Sequence, residues 1–112
     1  MIEIESLKQK IIERLVPLRL HKIILFGSYA NGEPNENSDI DIYIVTDDDF
    51  IPKNYDENNK IYMTVSRAIR DIKEEIPIDM IVHTKKMYEK FEALGSSFSR
   101  EVLQKGVRLY ES

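Results

Sequence analysis

The run from Asp39 to Thr46, DIDIYIVT, is the feature that most limits how this chain can fold. Its isoleucines alternate with Asp39, Asp41 and Tyr43, which is the period of a β-strand with one apolar face. Asp39 and Asp41 therefore share the other face, with roughly 6.6 Å between their α-carbons. Two carboxylates so close repel each other unless a positive charge lies between them. The structural alternative is an edge strand whose solvated aspartates prevent aggregation.

Apolar patterns predict further helices and strands on both sides of this strand. In chain order they predict a helix over 3–16, a strand over 21–28, a loop over 33–38, the strand over 39–46, a surface loop over 47–59, a helix over 60–76, a strand over 78–84, one or two helices over 85–106 broken near Gly95, and a short strand in VRLYE. Because a long helix joins the second strand to the third, these two strands should be parallel if they are adjacent. The order predicts an α+β fold of the α/β sandwich type, with a small mixed sheet packed by helices.

Length and composition predict a single domain over residues 1–112. A chain of 112 residues can bury one core but is too short for a catalytic domain with a separate binding domain. No apolar tract could span a bilayer and no leader is recognisable, so we expect a cytoplasmic protein that does not bind membranes. The chain has no cysteine and two histidines, so a metal would be held by oxygen ligands.

The charge balance argues against long nucleic acid as the main substrate. The chain carries 20 acidic and 16 basic side chains, for a net charge of -4. A protein that holds extended DNA or RNA through its phosphates normally has a basic stripe. We therefore expect an isolated nucleotide, rather than a long polyanion, as the ligand.

A third aspartate, Asp79, lies in the strand predicted over 78–84. If this strand is adjacent to the one over 39–46 and Asp79 faces the same side, then Asp39, Asp41 and Asp79 converge. One or two hard divalent cations bridging their oxygens would keep all three ionised, and Mg²⁺ held by few carboxylates and substrate phosphates suits such a site. This arrangement predicts phosphoryl or nucleotidyl transfer.

The dipeptide Gly27-Ser28 lies where the first strand ends and predicts a phosphate site. The missing side chain at Gly27 would let a phosphate approach the backbone, and the Ser28 hydroxyl with the amides after it could donate to phosphate oxygens. A Walker A loop is excluded, because Glu33 and Pro34 occupy the positions where that motif needs lysine and serine or threonine.

Together these segments resemble the DNA polymerase β-like nucleotidyltransferase superfamily. The shared pattern is G-S, ten residues, then D-x-D, followed by Asp79 after a long helix. In particular, GSYANG and SDIDIYIV are similar to the motifs of the minimal nucleotidyltransferases, or MNT proteins, and the similarity covers essentially the whole chain. The resemblance implies the polymerase β-like nucleotidyltransferase fold.

The resemblance also implies roles for individual residues. Asp39 and Asp41 would hold two catalytic Mg²⁺ ions, for which Mn²⁺ could substitute. Asp79 would hold the ion that activates the acceptor hydroxyl, and Ser28 would contact the triphosphate of the substrate ATP. Asn31 occupies a position that is usually arginine in the family, so a permanent cation near the nucleotide is missing.

Other polar and aromatic residues have less certain places in this scheme. Tyr29 could pack under the turn or line the nucleotide pocket with Gly27, Ser28 and Asn31. His83 should face the same side as Asp79, and we interpret it as a packed or surface histidine. The aromatic residues of the C-terminal third are predicted to be core residues rather than base-stacking platforms: Phe91, Phe98 and Tyr110.

The function implied is Mg²⁺-dependent transfer of a nucleotidyl group, AMP from ATP, to a hydroxyl of a protein acceptor. MNT proteins are typically antitoxins encoded beside a HEPN-domain ribonuclease, so the expected partner is a HEPN toxin that this chain adenylylates and neutralises. Two alternatives remain open: a non-catalytic protein that neutralises a HEPN partner by binding alone, and a catalytic subunit that modifies a small molecule. A site completed by homo-oligomerisation also remains open.

Overall fold

The computed structural model describes residues 3–34 and 39–112, so the predicted loop over 33–38 lies mostly outside the described residues. In chain order the elements are α1 (Ile4–Leu15), a 3₁₀ turn (Val16–Leu18), β1 (Leu20–Phe26), β2 (Ile40–Thr46), α2 (Tyr55–Ala68), α3 (Arg70–Glu75), β3 (Ile78–His83), α4 (Lys85–Leu94), α5 (Ser97–Leu103) and β4 (Val107–Glu111). The sheet has the order β3-β2-β1-β4. β1 is antiparallel to β2 and to β4, whereas β2 and β3 are parallel. The predicted mixed sheet and the parallel crossover are confirmed.

Helices pack against both faces of the sheet. On one face, Ile23, Leu25, Ile42 and Ile44 belong to a core that also contains buried residues of α1, α2 and α3. On the other face, the apolar residues Ile24, Phe26, Tyr43 and Val45 pack with Val102 of α5 and with Phe91 of α4. Coverage on both faces explains why β1 and β2 are buried almost continuously despite the alternating pattern of β2. None of the helices in the described residues is long and apolar enough to cross a membrane.

The middle helix predicted over 60–76 begins earlier than expected and is divided at Ile69 into α2 and α3. The surface loop expected over 47–59 ends at Asn54, whose side chain accepts a hydrogen bond of 2.9 Å from the amide of Glu57 and caps α2. Asp56 and Glu57 in the first turn favour a helix N-terminus electrostatically. A polar segment without apolar period was therefore the capped first turn of a helix.

The predicted break in the C-terminal helical region is confirmed. Gly95 has a φ of 61°, the left-handed conformation that commonly ends a helix, and it separates α4 from α5. At the start of α4, the Thr84 hydroxyl accepts a hydrogen bond of 3.2 Å from the amide of Met87. Thr84 therefore caps a helix, and β3 ends one residue earlier than predicted.

Candidate active site

Two of the three predicted carboxylates are direct neighbours across the parallel pair β2 and β3. Asp41 is the register partner of Asp79, so their side chains project from the same face of the sheet. Asp39 immediately precedes β2, and both Asp39 and Asp79 are exposed whereas Asp41 is half-buried. The fold thus brings Asp41 and Asp79 together, with Asp39 beside them just before the start of β2.

The electrostatics of this group centre on Asp41. Burial raises the pKa of the Asp41 carboxyl, and the negative charges of Asp79, Asp39 and Glu101 raise it further. Glu101 lies on α5 and was not singled out from the sequence, because no local motif connects it to an aspartate 60 positions earlier. Each of these acids makes the charged form of Asp41 less stable, and a bound cation would reverse that effect.

Several observations bear on whether the carboxylates fit a divalent metal. Within residues 3–34 and 39–112, no three acidic or histidine side chains are already arranged to hold a metal ion. The donor set nevertheless fits chemically, since an all-oxygen group of carboxylates is what Mg²⁺ and Mn²⁺ prefer.

The glycine at the end of β1 is required by its backbone and by its contact with Asp41. Gly27 has a φ of 77°, a backbone conformation that residues other than glycine rarely adopt, and a Cβ built on it would overlap Asp41 Oδ2. The sequence had indicated that the missing side chain leaves room for a phosphate, whereas a carboxylate oxygen occupies that side of Gly27. The turn and the carboxylates are therefore in direct contact.

The turn after Gly27 resembles a single turn of helix. The amides of Ala30 and Asn31 each donate a hydrogen bond of 3.1 Å to the carbonyl of Gly27, and the amide of Glu33 donates one of 3.0 Å to the carbonyl of Ser28. The first amides of such a turn, those of Ser28 and Tyr29, have no partner within it. The turn could therefore offer backbone donors and a serine hydroxyl next to Asp41.

The aromatic and imidazole residues near the site have mainly structural contacts. Tyr29 is half-buried and packs against the larger core, so its side chain supports the turn. The hydroxyl of buried Tyr43 lies 2.7 Å from Nδ1 of His83, and burial lowers the pKa of His83. The interpretation of His83 as a packed histidine is confirmed.

One residue expected in the core is instead substantially exposed. Phe91 and Tyr110 are half-buried against the core, whereas Phe98 is 43% exposed. The prediction for Phe98 was wrong, although its ring contacts that of Phe26, the last residue of β1, with centroids 5.8 Å apart.

Comparison with known proteins agrees with this geometry. Residues 9–112 match the family described as Polymerase beta, Nucleotidyltransferase. The chain therefore belongs to the polymerase β nucleotidyltransferase family and is a nucleotidyltransferase, as the motif predicted. It is 38% identical over 92 residues to MJ0604 of Methanocaldococcus jannaschii, provisionally named a protein adenylyltransferase, with 82% of this chain and 80% of that protein covered.

Among the solved structures that share the fold are two chains from toxin–antitoxin complexes. One is a chain of a toxin-antitoxin complex crystallised with AMP-PNP, with 22% identity, a TM-score of 0.57 and coverage of 94% of this chain and 73% of that chain. The other comes from the complex of tri-AMPylated Shewanella oneidensis HEPN toxin with MNT antitoxin, with 20% identity, a TM-score of 0.50 and coverage of 96% and 72%. At these identities the likeness concerns the fold.

Proposed function

We propose that this chain transfers AMP from ATP to a hydroxyl group of a HEPN-domain toxin and thereby acts as its antitoxin. The observation that carries the proposal is the contact between the two halves of the motif: Asp41 lies against Gly27 of the turn and in register with Asp79. A nucleotide held at the turn would have its phosphates beside the carboxylates. The naming of MJ0604 supports adenylyl transfer to a protein, and the fold shared with the HEPN–MNT complex supports the partner class.

In this proposal Asp39, Asp41 and Asp79 are the residues that would hold Mg²⁺, Asp39 and Asp41 for the nucleotide and Asp79 for the acceptor. When bound, Mg²⁺ or Mn²⁺ supplies charge neutralisation of the phosphates and lowers the pKa of the acceptor hydroxyl. The amides of Ser28 and Tyr29 and the Ser28 hydroxyl donate to the triphosphate. Asn31, exposed on the same turn, offers an uncharged polar group to the nucleotide.

The proposed reaction is a single nucleophilic substitution at the α-phosphorus of ATP. A bond forms between the acceptor oxygen and the α-phosphorus of ATP, and the bond from that phosphorus to the bridging oxygen breaks, so that pyrophosphate leaves. Asp79, an exposed carboxylate adjacent to Asp41, accepts the hydroxyl proton and releases it to solvent. Such a reaction draws on nucleoside triphosphate, in accord with the cytoplasmic location expected from the sequence.

The substitution Asp79→Asn tests this assignment with purified HEPN partner, ATP labelled in the α-phosphate, and Mg²⁺. The variant should bind nucleotide and partner like the wild type but transfer little label, because Asp39 and Asp41 remain as ligands for the triphosphate-bound metal. Asp49→Asn is a matched control, since it removes the same charge from an exposed aspartate beyond the other end of β2. It should transfer label like the wild type.

The same variants separate catalysis from neutralisation by binding alone. In cells, Asp79→Asn should fail to protect against the toxin although it forms the complex. If it protects as well as the wild type, the biological role is binding and the proposed antitoxin mechanism is wrong. If the purified variant labels the partner at the wild-type rate, Asp79 has no role in the transfer.

A further inference from the structure

A set of contacting rings on one face of the sheet runs from the buried centre of β2 to the end of β1, beside the carboxylates. The ring of fully buried Tyr43 lies 5.2 Å from that of Phe91, and Phe91 lies 5.9 Å from Phe98. Phe98 also contacts Phe26 edge to face, with ring centroids 5.8 Å apart. Two edge-to-face contacts hold the Phe98 ring in place, while 43% of the residue stays exposed.

The neighbours of Phe98 place this exposed ring beside the proposed phosphate turn. Phe26 is the last residue of β1, directly precedes Gly27 and is the register partner of Asp41. Glu101, which follows Phe98 by three residues on α5, is close enough for its charge to act on Asp41. The ring therefore borders the site from the α5 side, whereas Asp79 borders it from the β3 side.

An exposed apolar residue needs no special explanation by itself. Leu94, at the end of α4, is 74% exposed. Phe98 differs because its ring makes two edge-to-face contacts, one of them with the residue that directly precedes Gly27. A flat apolar surface beside a phosphate site suits a nucleobase, since every base presents a π-face that can stack on an aromatic ring.

We propose that the exposed face of Phe98 is the platform on which the base of the bound nucleoside triphosphate stacks. The proposal rests on the proposed function, because it assumes that the triphosphate lies at the Gly27 turn and the carboxylates. It assigns to α5 the recognition of the base, and to the turn and the aspartates the recognition of the phosphates. Stacking recognises an aromatic base without hydrogen bonds, so Phe98 contributes affinity for nucleotides over plain polyphosphate.

The test compares ATP with inorganic tripolyphosphate, both with Mg²⁺, by titration calorimetry on the whole chain. Phe98→Leu keeps an apolar side chain against Phe26 and Phe91 but removes the ring face. It should weaken ATP binding about 5- to 100-fold, the range of one lost base–aromatic stack, and change tripolyphosphate binding less than twofold. Phe98→Tyr should bind ATP like the wild type, and Leu94→Ala serves as the control that changes neither affinity.

Each outcome decides one point. Equal weakening of ATP and tripolyphosphate by Phe98→Leu would overturn the stacking assignment in favour of a structural effect on the turn. Unchanged ATP affinity, with weaker binding of a HEPN partner, would overturn it in favour of a partner contact. Failure of the proposed function has a different signature, since wild-type protein would then bind neither ATP nor tripolyphosphate in the presence of Mg²⁺.

Discussion

Substitution of Gly27 by alanine is the sharpest test of the link between the turn and the carboxylates, because Gly32 provides a matched control. The two glycines have nearly the same left-handed backbone, with φ of 77° and 75°. A Cβ at Gly27 would overlap Asp41 Oδ2, whereas a Cβ at Gly32 would meet no heavy atom of residues 3–34 or 39–112 within 4 Å. The strain of the backbone is therefore common to both variants, and the displacement of Asp41 belongs to Gly27→Ala alone.

The two contributions differ enough to be measured as free energies of unfolding. A left-handed conformation costs an alanine about 1–2 kcal/mol, and the reduced entropy of the unfolded chain offsets about 0.4–1 kcal/mol of that. Gly32→Ala should therefore destabilise the fold by about 0–1.5 kcal/mol. Gly27→Ala should add about 1 kcal/mol, the low end of the cost of overpacking, because the overlapping oxygen lies at the end of a half-buried side chain that can turn away. Each kcal/mol lowers the melting temperature by roughly 3–6 °C in a chain of this size.

Thermal unfolding and Mg²⁺-dependent ATP binding would be measured on both variants. Gly27→Ala should lose most ATP affinity, because its new side chain displaces Asp41, whereas Gly32→Ala should retain it. Adding Asp41→Ala to Gly27→Ala removes the overlap, so the double variant should be more stable than the sum of the single effects by about 0.5–1 kcal/mol. Equal destabilisation by the two glycine variants, with additive effects at Asp41, would refute the contact.

Two further predictions concern the charge on the carboxylates. Mg²⁺ or Mn²⁺ should raise the melting temperature of the wild type by binding the folded state. The double variant Asp39→Asn, Asp41→Asn should lose that rise and be slightly more stable than the wild type without metal. An equal metal response in both proteins would count against the site. The pKa of Asp41 is raised in the folded protein, so folding takes up protons at pH values between the ordinary and the raised pKa. The ionised Asp41 therefore destabilises the metal-free fold as the pH rises through this range. The stability difference between Asp41→Asn and the wild type, measured in chelator, should therefore be small near pH 4, grow upward from there and level off above the raised pKa; a difference independent of pH would contradict this.

The strands, and the parallel orientation of β2 and β3, could be predicted from the sequence because local signals and topology agreed. Alternation in residues 39–46 placed Asp39 and Asp41 on one side, and the helical segment before β3 required a crossover to a parallel neighbour. The start of α2 could not be predicted from apolar period, because its first turn is held by the side chain of Asn54 and by acidic residues. Capping is decided by single polar contacts, which hydropathy does not report.

The α5 side of the site was beyond sequence reasoning for a different reason. The apolar spacing in α5 indicates which residues face inward, and Val102 is indeed fully buried against the sheet. The spacing does not indicate where the covered strand ends. Phe98, near the start of the same helix, contacts Phe26 at the end of β1 and is 43% exposed. The same helix brings Glu101 within electrostatic reach of Asp41, so the packing of α5 places a further acid and a further aromatic ring beside the residues of the motif.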